Sequence, residues 1–247
     1  MAKLRKFIWL IIIIILLGNF ILAFKISQSF IEDTDINLHI NNKDISYESV
    51  EYEEDITKSF IKNEDIANLD RLEKISPIIV KAKVDDSAKR EIYEGTTLTK
   101  VIIKEVFKGD LNQDSMYVFE PFDCYNEDNL SYLYSLDGYN IMNEDSEYIL
   151  FLREIKDSNY TPDDNVYMPT TTLLSKYPAK NKMLISNNFN LINDQVKYYN
   201  VKDLDIISNN SRDIEKYNEM KLNVLKKYEN IDKFKNIILI YINLKLE

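Results

Sequence analysis

Hydrophobic positions change their spacing along this chain, and each spacing predicts a different element. Ile78, Val80, Ala82 and Val84 alternate with Ile79, Lys81 and Lys83, the period-two pattern of a strand with one wet face. "TLTKVIIKEVFKGD" (97–110) predicts a second strand, with Thr99, Val101 and Ile103 on one face. Glu105 interrupts that alternation and Val106 with Phe107 restores an apolar pair, so an inserted residue, a β-bulge, is expected near Lys104 and Glu105. Gly109 supplies a turn, and "SMYVFEP" (115–121) reads as the returning strand. In "SEYILFLREI" (146–155), Tyr148, Leu150 and Leu152 occupy one face and Ile149 and Phe151 the other, as in a strand buried on two sides.

Other patterns flank this set. Asn63 is placed to cap a short helix carrying Ile66, Leu69 and Leu72, which Pro77 stops. "MLIS" (183–186) and "FNLINDQVKYYN" (189–200) read as short strands, the latter pair reversing at Asn193-Asp194. Ile214, Tyr217, Val224, Leu225, Tyr228 and Ile231 recur at helical spacing from about 211 to 231, an amphipathic helix suited to packing on a sheet. A final alternation, Ile240, Ile242, Leu244 and Leu246, predicts a last strand.

The N-terminal pattern is of another kind. Phe7 to Phe24 are 18 residues without a charge, roughly 27 Å as a helix and close to the ~30 Å hydrocarbon core. Fourteen of them are Leu, Ile or Phe, a gross insertion free energy of about −4 to −8 kcal/mol that outweighs Gly18 and Asn19. Lys3, Arg5 and Lys6 precede the segment while Glu32, Asp33 and Asp35 follow it, which puts the N-terminus in the cytoplasm and the rest outside the cell membrane. A cleaved signal peptide is the rival reading, disfavoured by the length and by the poor small-residue pattern at Ala23, Phe24 and Lys25. Residues 26–62, acidic and rich in Asn and Ser around "ESVEYEED", read as a solvated stalk that includes His39. The expected organisation is a cytoplasmic tip and anchor (1–25), a stalk (26–62) and one extracytoplasmic domain (63–247).

Composition removes several functions. A net charge of −10 argues against a phosphate-binding surface, so nucleic acid is not an expected partner. One cysteine, Cys124, and one histidine, His39, exclude an intramolecular disulfide and any metal centre needing two imidazoles. Only 4 glycines are present, in none of the phosphate-loop or nucleophile-elbow patterns. Acids gather at Asp123, Glu127 and Asp128 and again at Asp163-Asp164-Asn165, but without calcium-loop spacing. No cofactor, metal or catalytic residue is therefore expected.

Taken in order, "ISPIIVKAKV", "TLTKVIIKEVFKGD" and "SEYILFLREI" resemble the netrin-like family, which includes the tissue inhibitors of metalloproteinases and many bacterial membrane-anchored proteins. The resemblance covers about 67–155 and implies a small Greek-key β-barrel of the OB type, here mainly β with a short helix before the barrel and an amphipathic helix after it. It does not carry over the inhibitors' chemistry, which needs a disulfide-locked N-terminal cysteine on the protease zinc.

Function is sought in the long connection 122–145. Its Tyr125, Tyr132, Tyr134 and Tyr139 are of the residue type enriched at recognition surfaces and are the candidate partner-binding set. Leu130, Leu133 and Leu136 recur at helix-like spacing, so the same segment also reads as a short helix capping the barrel. Lys108-Gly109-Asp110 offers either an adhesion tripeptide or a plain turn, and glycine's tolerance of positive φ favours the turn. The expectation is a membrane-anchored binding module for a protein or envelope ligand. Its alternatives are a carboxylate-dependent hydrolase of envelope material and a purely structural spacer subunit.

Overall fold

The computed structural model describes residues 35–50, 60–93, 95–127, 130–155, 166–179, 196–208 and 210–229, without the side chains of 126, 127 and 130. The expected membrane span at Phe7 to Phe24, the 183–186 strand, the Asn193-Asp194 turn and the strand from Ile240 lie outside these residues. Among the described residues no helix is long and apolar enough to cross a membrane.

In chain order the elements are α1 (Ile36–Ile40), β1 (Ser46–Val50), α2 (Leu69–Ile75), β2 (Ile78–Val84), β3 (Glu91–Tyr93), β4 (Thr96–Lys108), β5 (Ser115–Glu120), β6 (Phe122–Glu127), β7 (Leu130–Leu136), β8 (Glu147–Glu154), β9 (Val166–Pro169), β10 (Lys176–Pro178), β11 (Val196–Lys197) and α3 (Ser211–Tyr228). The architecture is mainly β, with few helices.

Five strands close a barrel in the ring order β8-β2-β4-β5-β9, with β9 returning to pair β8. All its pairings are antiparallel except β5 with β9. Closure leaves these strands no open edge within the ring. Val80, Ala82, Val101, Met116, Val118, Leu150 and Leu152 fill the interior. Outside, Ile79, Ile149 and Phe151 meet Leu69 and Leu72 of α2 and Tyr217, Val224 and Leu225 of α3. β8 is thus buried on both faces, as its uninterrupted apolar run requires.

The long strand β4 bends where its alternation fails. Lys81 faces Glu105 while Ala82 faces Ile103, so Lys104 is the inserted residue of a bulge at the expected place. A second bulge inserts Phe107 between Val106 and Lys108. Phe107 meets the Tyr228 ring at 4.6 Å. Gly109 follows at φ +102°, where a Cβ would collide with Ile78 Cδ1 and sit 3.2 Å from the Pro77 carbonyl oxygen. Lys108 Nζ donates to the carbonyl oxygens of Glu73 (2.5 Å) and Ser76 (2.8 Å), closing the C-terminal end of α2. Two of the three Lys-Gly-Asp residues therefore have structural employment.

The start of α2 departs from expectation. Asn68 caps it, accepting from the Arg71 N–H at 3.0 Å. The Asn63 side chain instead donates to Thr172 Oγ1 (2.8 Å) and accepts from the Leu173 N–H (3.0 Å).

A second sheet runs β11-β1-β7-β6, with β1 parallel to β7 and the other pairs antiparallel. Its presence corrects two expectations. Residues 36–50 of the expected stalk are folded, with Ile36, Ile45 and Tyr47 buried against Phe122, Leu133, Val196 and Tyr198. The tyrosine segment is an antiparallel strand pair rather than a helix, because Leu133 and Ser135 face inward while Tyr132 and Tyr134 face the other way. The chain crosses from barrel to second sheet at Glu120-Pro121-Phe122.

Candidate functional site

Three of the four expected tyrosines share the outer face of the second sheet. Register places Tyr125 opposite Tyr132, Asp123 opposite Tyr134, and Glu48 beside Tyr134. The Tyr125 hydroxyl donates to Glu48 Oε2 at 3.1 Å. Because β6 and β1 are separated by β7, this bond spans two strand spacings, roughly 9–10 Å, so the Tyr125 side chain lies across β7. Its ring stacks on Tyr132 (centroids 5.3 Å, interplanar angle 18°) and meets Tyr134 edge-on at 5.4 Å. All three rings are half-buried, and Glu48 is exposed.

Asp123 lies at the inner margin of this face, 6% exposed. Its carboxylate accepts from the Cys124 N–H (2.6 Å) and from the Tyr134 hydroxyl (3.1 Å). Burial raises its pKa, opposed by those bonds, by a bond from the Gly95 N–H and by the charge of His39 on α1. Burial also raises the Tyr134 pKa, with the adjacent Asp123 charge acting in the same direction. Tyr134 thus keeps its proton and donates it to Asp123, which fixes its ring orientation. No pattern local in the sequence marks Glu48 or Asp123 for this role. By sequence Glu48 falls in the expected stalk, and Asp123 belongs to an acid run without calcium-loop spacing.

Tyr139 does not join the face. It is 2% exposed, and its hydroxyl donates to Glu120 Oε2 at 2.8 Å. Glu120, fully buried at the crossing between the sheets, also accepts from Arg90 Nη2 (2.6 Å), Thr99 Oγ1 (2.6 Å) and the Met142 N–H (2.8 Å). Arg90 donates in addition to Thr99 Oγ1 and the Met142 carbonyl oxygen. Four donors match the roughly four lone-pair positions of a carboxylate, so Glu120 is committed to internal bonds. This arrangement fixes the 85–95 connection, the end of β5 and the segment after β7 to one another. Its chemistry is that of a staple.

Beside it, Lys176 is 4% exposed, its Nζ 4.8 Å and 5.2 Å from the ring centroids of Tyr139 and Tyr148. Burial pulls its pKa down to about 8, against the pull of Glu120 and Asp205 in the other direction. Asp205 is itself bonded to Lys221 at 2.5 Å.

Other features lead to less. A groove of about 430 Å³ between α2 and α3 is lined by Asp70, Lys74, Ile79 and Phe107 together with Glu73, on which Lys227 and the Tyr228 hydroxyl are both bonded. Cys124 packs toward the second sheet's core. Among the described residues no group of three or more His, Cys, Asp or Glu is arranged to hold a metal. Asp128 and Asp163-Asp164-Asn165 lie outside those residues. No family model matches the chain, nor does any curated protein or solved structure.

Proposed function

We propose that this chain is a membrane-anchored, extracytoplasmic binding module without catalytic activity, and that the tyrosine face of its second sheet meets the ligand. The observation that carries the reading is the packed set Tyr125, Tyr132 and Tyr134, placed on an outer sheet face with the exposed Glu48. Large rigid rings with polar tips give contact area at small entropic cost, which is why such sets occur at recognition surfaces.

The barrel is read as the scaffold, of the OB type. Counted in chain order, its strands run first-second-third-fifth-fourth around the ring, with the third and fifth parallel, which supports a Greek-key barrel of that type and the netrin-like resemblance. The anchor rests on the charge-free Phe7 to Phe24 and the positive residues before it.

Protease treatment of intact cells expressing the chain should remove the domain from residue 36 onward. Digestion only after lysis would place the domain inside and refute the topology. For the face, Tyr125→Ala and Tyr132→Ala should each abolish cross-linking of the chain to its envelope or protein ligand without lowering Tm by more than a few degrees. Unchanged cross-linking in both variants would remove the face from the assignment.

A further inference from the structure

The tyrosine face sets an exposed carboxylate, Glu48, beside its rings, and we infer that its ligand presents a cation: a lysine or, better, arginine side chain of a partner protein, seated over the rings beside Glu48. This inference rests on the reading of that face as the binding site. Glu48 is exposed and, among the described residues, accepts one hydrogen bond, from Tyr125. An ionised carboxylate has room for about four, so acceptor positions remain for an incoming donor. Asp123, buried on the same face across Tyr134, adds a second carboxylate, held in place by bonds from the Cys124 N–H and the Tyr134 hydroxyl.

The rings are conditioned for the same task. Tyr125 and Tyr134 each donate their hydroxyl proton to a carboxylate, which pushes electron density into the ring and strengthens the negative potential of its face. A guanidinium matches both elements together, stacking on an aromatic face while bonding a carboxylate in its plane. The basic groups nearby do not occupy this place. Lys197, at the β11 edge of the same face, turns its Nζ to the Asp44 carbonyl oxygen at 2.5 Å and to Ser46 Oγ at 3.5 Å, and His39 acts at Asp123. The chain's net charge of −10 adds attraction over distance for a basic partner.

The test uses the purified full chain in detergent and a capped tetra-arginine peptide, measured by calorimetry from low salt to about 0.3 M. A neutral chito-tetraose is the second probe. The peptide should bind, with affinity falling as salt rises. Glu48→Gln and Tyr132→Ala should each weaken it about fivefold or more, whereas Glu105→Gln, an exposed acid on β4, should not. Equal weakening by Glu48→Gln and Glu105→Gln would reveal diffuse attraction and overturn the inference, as would no peptide binding. Tetraose binding that Tyr132→Ala abolishes and Glu48→Gln leaves intact would keep the face as the site and overturn its cationic ligand. Indifference of both probes to Tyr132→Ala would overturn the reading of the face itself.

Discussion

Replacing Lys176 by methionine should make the protein more stable at neutral pH. The side chain is 4% exposed, and burial lowers its pKa from 10.5 to about 8. At about 1.36 kcal/mol per pKa step, holding the charged form in the folded state costs roughly 3 kcal/mol. The Tyr139 and Tyr148 rings return part of this, each about 0.5–2 kcal/mol. Methionine keeps the length and apolar stem, so a net gain of about 1–3 kcal/mol is expected near pH 7. The sign of the pH dependence follows from the depressed pKa. Below about pH 8 the lysine is charged in both states and the cost is complete. Between about 8 and 10.5 the unfolded chain binds a proton that the folded chain has released, so the lysine protein gains stability as pH rises. The advantage of Lys176→Met should therefore shrink across that window. Urea unfolding of both proteins at about pH 7 and about pH 10 measures this as a difference in midpoint at unchanged m-value. A variant less stable than its parent at pH 7, or an advantage equal at both pH values, would refute the reasoning.

Glu120→Gln should destabilise by about 3–5 kcal/mol, since it leaves the 1% exposed Arg90 charged and uncompensated; thermal unfolding checks it. Gly109→Ala should cost about 1–3 kcal/mol through the strained φ and the collision with Ile78, visible in the same melt. Lys108→Met should lose about 1 kcal/mol by unbonding the α2 carbonyls, yet leave cell adhesion unchanged in an attachment assay, because its ammonium is engaged at that helix end.

The barrel was legible because its strands state their faces locally. β2 alternates from Val80 to Val84, β8 is apolar on both sides, and the lapse at Glu105 marks the Lys104 bulge. The second sheet was not, for two physical reasons. Tyrosine counts as apolar on either face, so Tyr132-Leu133-Tyr134 shows no period-two contrast, and Leu130, Leu133 and Leu136 imitate a helix. Ile45 and Tyr47 sit in an acidic stretch too polar on average to announce a core, and they are buried by partners remote in sequence. The same remoteness hid the Arg90–Glu120 pair, while Tyr139 was grouped with the surface tyrosines because nothing nearby in sequence reveals a buried acceptor for its hydroxyl.

The parallel pairing of β1 with β7 also sets an order in time. Ser46 pairs with Tyr132, more than eighty positions later, so β1 has no partner until β7 has been synthesised. In a chain emerging from its N-terminus, β1 waits with an unpaired edge while the barrel's first three strands can already assemble. Glu48 and Tyr125 come from the first two members of that sheet, so the surface they share can form once β7 is made, while β8 and β9, which close the barrel, are still to come.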